Sequence, residues 1–156
     1  MPDKESFDTP ANNPAVIRLA AMNLLAQRDH SLRELRNKLV RRYPDAASVD
    51  EQLSRLIVER LQSDVRFAAS YARQRISRGY GPLRVREELR ERGVSEADVT
   101  AAMAELDIDW CVVAAEVLHK KFGKRDAIDL KEKARRARFM QYRGFASEHY
   151  RQRSPD

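Results

Sequence analysis

Slid against itself by 50 residues, the sequence matches itself without a gap: Arg28 falls on Arg78, Arg36 on Arg86, Leu39 on Leu89, Arg42 on Arg92, Val49 on Val99 and Leu56 on Leu106. A further shift of 51 takes Phe67 to Leu118, Tyr71 to Phe122, Leu89 to Met140, Arg92 to Arg143 and Gly93 to Gly144. A period of this length, aligning breakers as well as apolar positions, means tandem structural units. A unit of about 50 residues has a marginal core of its own and gains by stacking on its neighbours. Arrays of this kind are elongated and curved, and they present extended surfaces rather than one deep cleft.

Helix signals fall at regular places within the repeat. Asn13 can cap a helix that Pro14 opens. Ser31–Glu34 and Ser48–Glu51 both read as capping boxes, and between them Leu32, Leu35 and Leu39 recur at helical spacing until Pro44. Asp64 is placed to cap a helix carrying Phe67, Ala68 and Tyr71; Gly79 and Gly81 break it, and Pro82 opens the next. Gly93 fits a left-handed closing position and Ser95 a cap. With charged residues at 35% and aromatics at 7%, the expectation is an all-α fold, a tandem array of three three-helix repeats over 14–62, 63–108 and 109–156. Residues 1–13, polar and holding Pro2 and Pro10, are expected to be a disordered arm.

The longest apolar run, Trp110–Ala115, is too short to cross a bilayer, and the first residues lack a basic and an apolar signal region. A cytoplasmic monomer without membrane contact is expected. Cys111, the only cysteine, lies among apolar neighbours and reads as a core residue. No phosphate-binding Gly-rich loop is present. His30, His119 and His149 are scattered and do not look like metal ligands. Glu87 and Glu88 are adjacent on a helix and diverge. No catalytic role, cofactor or metal is expected.

Charge is banded. Residues 1–65 balance ten basic against ten acidic side chains; 66–92 hold eight basic and three acidic, 93–118 no basic and six acidic, and 119–156 twelve basic and five acidic. The segment 89–106 reads like a DNA-binding helix-turn-helix, but its second helix carries Glu96, Asp98 and Glu105 with Asp107 beside them, and phosphates would repel it. Its Val99, Met103 and Leu106 are expected to face inward instead.

The candidate partner-binding residues therefore lie on the basic bands. Arg75, Arg78, Arg84, Arg86 and Arg90 surround the Gly79–Tyr80–Gly81 loop, where an exposed Tyr80 is placed to stack on a partner side chain or a base. Lys120, Lys121, Lys124, Arg125, Arg135, Arg136 and Arg138 form the second band. Arginine recognises carboxylate and phosphate alike, so an acidic protein groove and a DNA backbone are both open as targets, as is a merely solvated face. Charge reversal of Arg84 with Arg86, or of Arg135 with Arg136, is expected to weaken binding more than it disturbs the fold.

Asp64, Phe67, Ala68, Tyr71, Arg75, Gly79, Gly81, Pro82, Arg84, Arg86, Glu88, Leu89, Arg92, Gly93 and Val94 resemble the central signature of the RecX regulatory family. There an Asp-x-x-Phe-Ala-x-x-Tyr helix leads through Arg-x-x-x-Gly-x-Gly-Pro to an Arg-rich helix ending Glu-Leu-x-x-Arg-Gly-Val. The segment 133–150, with Gly144 and Phe145 in an Arg-Gly-Phe turn, is similar to the family's last unit. The resemblance covers about residues 15–153; it departs from regularity at 122–129. It implies a protein that binds RecA, as its filament on single-stranded DNA, and restrains strand exchange, ATP hydrolysis and the coprotease activity behind the DNA-damage (SOS) response. The alternative left by the residues themselves is a sequence-indifferent DNA-binding protein acting through the basic bands.

Overall fold

The computed structural model describes residues 13–151, so the arm expected over 1–13 lies, Asn13 apart, outside the described residues. Among the described residues there are nine helices and no strand. They follow one another as three sets of three, and the caps explain their starts.

Asn13 opens α1 (Pro14–Gln27), its side chain accepting from the Ala15 amide at 2.9 Å. In α2 (Leu32–Arg42) the capping box forms in full: Ser31 Oγ accepts from the Glu34 amide at 3.1 Å, and Glu34 accepts from the Ser31 amide at 3.3 Å. The second expected box does not form. α3 (Ala46–Val58) starts earlier, capped by Asp45, whose two oxygens accept from the Ser48 amide and hydroxyl at 3.3 and 2.8 Å. An aspartate placed just after Pro44 ends the preceding extended stretch first, leaving Ser48 inside the first turn.

Asp64 is likewise not the cap of α4 (Asp64–Ser77). Ser63 takes that role, its Oγ accepting from the Arg66 amide at 3.2 Å. The Asp64 carboxylate instead accepts from the Leu32 amide at 2.8 Å and from Gln62 at 2.9 Å. It thus satisfies an orphan donor at the start of α2. α5 (Pro82–Glu91) and α6 (Glu96–Leu106) are joined through Gly93 at φ +84°, with Ser95 Oγ accepting from the Asp98 amide at 3.2 Å. Asp109 and Asp129 cap α7 (Trp110–Phe122) and α8 (Leu130–Arg143), and α9 (Ser147–Tyr150) is a single turn. The irregular stretch after Phe122 is the loop 123–129.

The chain divides into two compact units, with the division falling inside α4. One unit runs to Phe67 and takes in Arg92–Val94; the other consists of Ala68–Glu91 and the residues from Ser95 onward. In the first, α1, α2 and α3 enclose Ile17, Ala21, Leu35, Leu39, Tyr43, Val49, Leu53 and Leu56. Arg92–Val94 joins this unit through the Ser31 hydroxyl, which donates to the Arg92 carbonyl at 2.8 Å. In the second, Ala114, Met140 and Phe145 are buried, with Trp110, Val113, Val117, Leu118, Phe139 and Tyr150 packed around them.

The sequence repeat has a packing counterpart, since Leu39, Leu89 and Met140 are all buried, and so are Val49 and Val99. Cys111, expected in the core, is exposed. The run Trp110–Ala115 turns through more than a full turn of α7, so it cannot all face one side; Ala114 is buried while Cys111, Val112 and Ala115 face solvent. Among the described residues no helix is long and apolar enough to cross a membrane.

Candidate partner-binding surface

The Gly79–Tyr80–Gly81 loop is bound to the turn after α8 by main-chain bonds. The Gly81 amide donates to the Arg143 carbonyl at 2.7 Å, and the Leu83 amide donates to the Gly144 carbonyl at 3.0 Å. A Cβ on Gly81 would lie 2.5 Å from the Gly144 carbonyl oxygen, so this approach requires glycine. Gly144 itself closes α8 at φ +92°.

Tyr80 is half-buried, contrary to its expected exposure. Guanidinium carbons lie over its ring at 3.8 Å from Arg75, 4.7 Å from Arg84 and 4.8 Å from Arg143. Beneath them Glu88 gathers charge. Arg75 Nε and Nη2 each donate to its carboxylate at 2.8 Å, the Tyr71 hydroxyl donates at 2.7 Å and Arg84 Nε at 3.3 Å. Burial pushes the Glu88 carboxyl up, but the hydrogen bonds from Arg75, Tyr71 and Arg84 outweigh it and hold the group below its ordinary value. Arg84 also donates to the Tyr142 carbonyl at 3.1 Å, and Arg143 donates to the Arg78 carbonyl at 3.0 Å. Arg75 and Arg84 thus hold the second unit together. Reversing Arg84 would attack the fold, which corrects the expectation that it could serve as a surface probe.

The rest of the first band faces outward. Arg78 is exposed, and Arg86 and Arg90 lie 3.8 and 3.2 Å from the Glu96 carboxylate at the start of α6. In the second band Arg136 is largely enclosed: it donates to the Arg125 carbonyl at 2.9 Å and to Glu132 at 3.3 Å, and covers the Phe122 ring at 5.2 Å. Reversing it together with Arg135 would therefore also strain the fold. Arg135 pairs with Glu132 at 3.2 Å but stays exposed, as do Lys120, Lys121, Lys124, Arg125 and Arg138.

The structure brings the two bands together at one groove. Arg78 from the first meets Lys120 and Lys121 from the second, with Arg143 beside them, around a space of about 530 Å³. Its floor is apolar, formed by Ile76, Val113, Val117 and Phe139, and Glu116 contributes the single carboxylate among the lining side chains. Arg143 and Phe139 were not among the sequence candidates. The alignment of Arg143 with Arg92 was a signal for the first; nothing local marked Phe139, whose place depends on α7 and α8 meeting. The arrangement can recognise anions beside an apolar group. Among the described residues, no cluster of His, Cys, Asp and Glu could hold a metal ion.

Comparison with known proteins gives consistent results. Residues 63–103 match the family description "RecX, second three-helix domain" and residues 108–152 match "RecX, third three-helix domain". The chain is 40% identical over 134 residues to the regulatory protein RecX of Pseudomonas savastanoi pv. phaseolicola, covering 86% of each chain. It is 39% identical over 135 residues to that of Halorhodospira halophila, covering 86% of this chain and 84% of the relative. Among solved structures it is similar to RecX from Lactobacillus salivarius, with a TM-score of 0.69 at 21% identity over 87% of this chain and 90% of that one. A second RecX crystal structure gives a TM-score of 0.68 at 22% identity, covering 88% and 71%. At those identities the structures speak to the fold.

Proposed function

The chain belongs to the RecX family of regulatory proteins, and from that premise we propose that it binds RecA, as the filament on single-stranded DNA, and restrains its recombinase, ATPase and coprotease activities. The observation that carries the reading is the meeting of Arg78, Lys120 and Lys121 over an apolar floor. Such a surface suits recognition and contains no group placed for turnover. The protein acts by occupancy, without cofactor, as a cytoplasmic regulator in DNA repair and recombination.

A titration of RecA ATPase on single-stranded DNA against the added protein tests this. Inhibition is expected at protein concentrations below those at which it binds the DNA alone. A flat titration rejects the reading. The exposed lysines also fit a direct, sequence-indifferent DNA binder, which predicts tight binding without RecA and a steep loss of affinity with salt. Inhibition that tracks coating of free DNA would favour that second reading.

A further inference from the structure

The groove of the second unit has properties that its cations alone do not explain. Arg78, Lys120 and Lys121 have no carboxylate within ion-pair distance among the described residues, whereas Arg75, Arg84 and Arg136 are all matched with Glu88 or Glu132. The floor between these three cations is aliphatic, from Ile76, Val113 and Val117. Its one aromatic ring, Phe139, is already engaged: Lys121 Nζ lies 5.4 Å and the Arg143 guanidinium 5.1 Å from its centroid, and Phe122 meets it in a T-shaped contact at 5.4 Å. Tyr80 is covered by three guanidinium groups in the same way.

This combination discriminates between polyanions. Single-stranded nucleic acid gains its affinity from open aromatic faces that stack on bases as well as from cations on phosphates. Here both rings are covered by cations of the protein itself. An aliphatic floor ringed by unmatched cations instead suits a bulky apolar side chain flanked by carboxylates. We infer that this groove docks an acidic peptide segment of a partner protein, seating one leucine-like side chain on Val113, Val117 and Ile76 while neighbouring carboxylates meet Arg78, Lys120 and Lys121. The inference rests on the regulator reading above and names the chemistry of its contact.

The test uses the full chain and a dye-labelled synthetic peptide of Glu and Asp with one central leucine, followed by fluorescence anisotropy. Replacing the two lysines together, Lys120→Glu with Lys121→Glu, is expected to weaken binding by about ten-fold or more, because attraction becomes repulsion. Glu116→Lys removes the lone carboxylate of the rim and is expected to tighten binding about two-fold, at the modest scale of exposed charge pairs. It also keeps the test decisive if far-UV circular dichroism shows the double variant unfolded. A peptide with serine in place of the leucine is expected to bind at least about five-fold more weakly, at the scale of one buried apolar side chain.

Equal binding of both peptides would overturn the apolar seat, and indifference to the lysine and Glu116 variants would overturn the groove. Displacement of the peptide by an oligothymidylate that itself binds more tightly, through the same lysines, would overturn the peptide in favour of nucleic acid. The ATPase titration separates the two levels of inference. A folded double-lysine variant that inhibits as well as wild type removes the groove and leaves the regulator standing, whereas a wild-type protein without effect removes the regulator itself.

Discussion

In the first repeat α2 presents Leu35 and Leu39 to the core, both buried, between α1 and α3. At the corresponding places of α8 the third repeat has Arg136 and Met140, and of these Met140 is the buried one. The guanidinium of Arg136 covers Phe122 where a leucine would have filled space, and Lys121 and Arg143 lie beside Phe139. A buried leucine contributes about 1.5–3 kcal/mol, a partly exposed cation–aromatic contact about 0.5–1 kcal/mol. One three-helix plan thus yields a repeat closed by apolar packing and another that supplements a smaller apolar cluster with cations and a main-chain latch. The second arrangement leaves positive charge at the surface, where a binding protein can use it.

Leu39→Ala should strike hardest, removing about 2–5 kcal/mol from the first unit by leaving a cavity in a closed core. Hydrogen exchange should show the loss in α1–α3. Equal loss of protection across α7–α9 would mean that the two units unfold as one and would break the comparison. Gly81→Ala is expected to act in the second unit, because its Cβ must push against the Gly144 carbonyl; about 2–3 kcal/mol is the scale of such overpacking. Gly123→Ala is its control. That glycine has φ +77° and ψ −175°, a conformation that only glycine adopts readily, with open space around it, so a backbone cost of about 1–3 kcal/mol applies without any steric contact. A Gly81→Ala melting temperature equal to that of wild type would show that the latch contributes little.

Glu88→Gln comes next, at about 2 kcal/mol for the loss of charge-assisted hydrogen bonds from Arg75, Arg84 and Tyr71. Because the folded carboxyl titrates below its ordinary value, the stability it provides is present above that value and is lost as the pH falls through the folded one. Acid unfolding of the second unit should accordingly be blunted in the variant. A steepness identical to wild type would assign acid sensitivity elsewhere.

Most local signals were legible from sequence, although the Ser48 box lost to Asp45 within one turn of helix. Asn13, Ser31, Gly93 and Ser95 behave as their neighbours dictate, and the repeat itself survives because Leu39, Leu89 and Met140 occupy equivalent buried places. Some failures were local too, since Ser63 caps α4 ahead of Asp64 and the turn of α7 carries Cys111 outward, and the rest depended on distant chain. Arg84 and Arg86 look alike in sequence, yet two residues along a helix turn a side chain through about 200°, so one meets Glu88 and Tyr142 while the other points toward Glu96. Asp64 reads as a cap until Leu32 offers its amide. Arg78 and Lys120 share a groove only because the Gly79 turn and α7 come together, a meeting that neither segment announces.

The smallest expected effect sharpens the comparison from the first unit's side. His30 is buried there, its Nδ1 donating to the Arg28 carbonyl at 3.0 Å and its Nε2 facing Lys38 Nζ at 3.0 Å. These bonds suit the neutral ring, with Nε2 accepting from the ammonium. Burial lowers the folded pKa below 6.5, aided by the charges of Arg28 and Lys38 and opposed by the Arg28 carbonyl and Glu34. As pH falls below 6.5, the unfolded chain therefore takes up a proton before the folded one does. Stability should decline through that window and level off below the folded value. His30→Gln, which keeps a donor and an acceptor but cannot titrate, should flatten the decline in urea unfolding measured from neutral to mildly acidic pH. The same slope in both proteins would show that the closed apolar core of the first unit carries no pH dependence from its one buried imidazole.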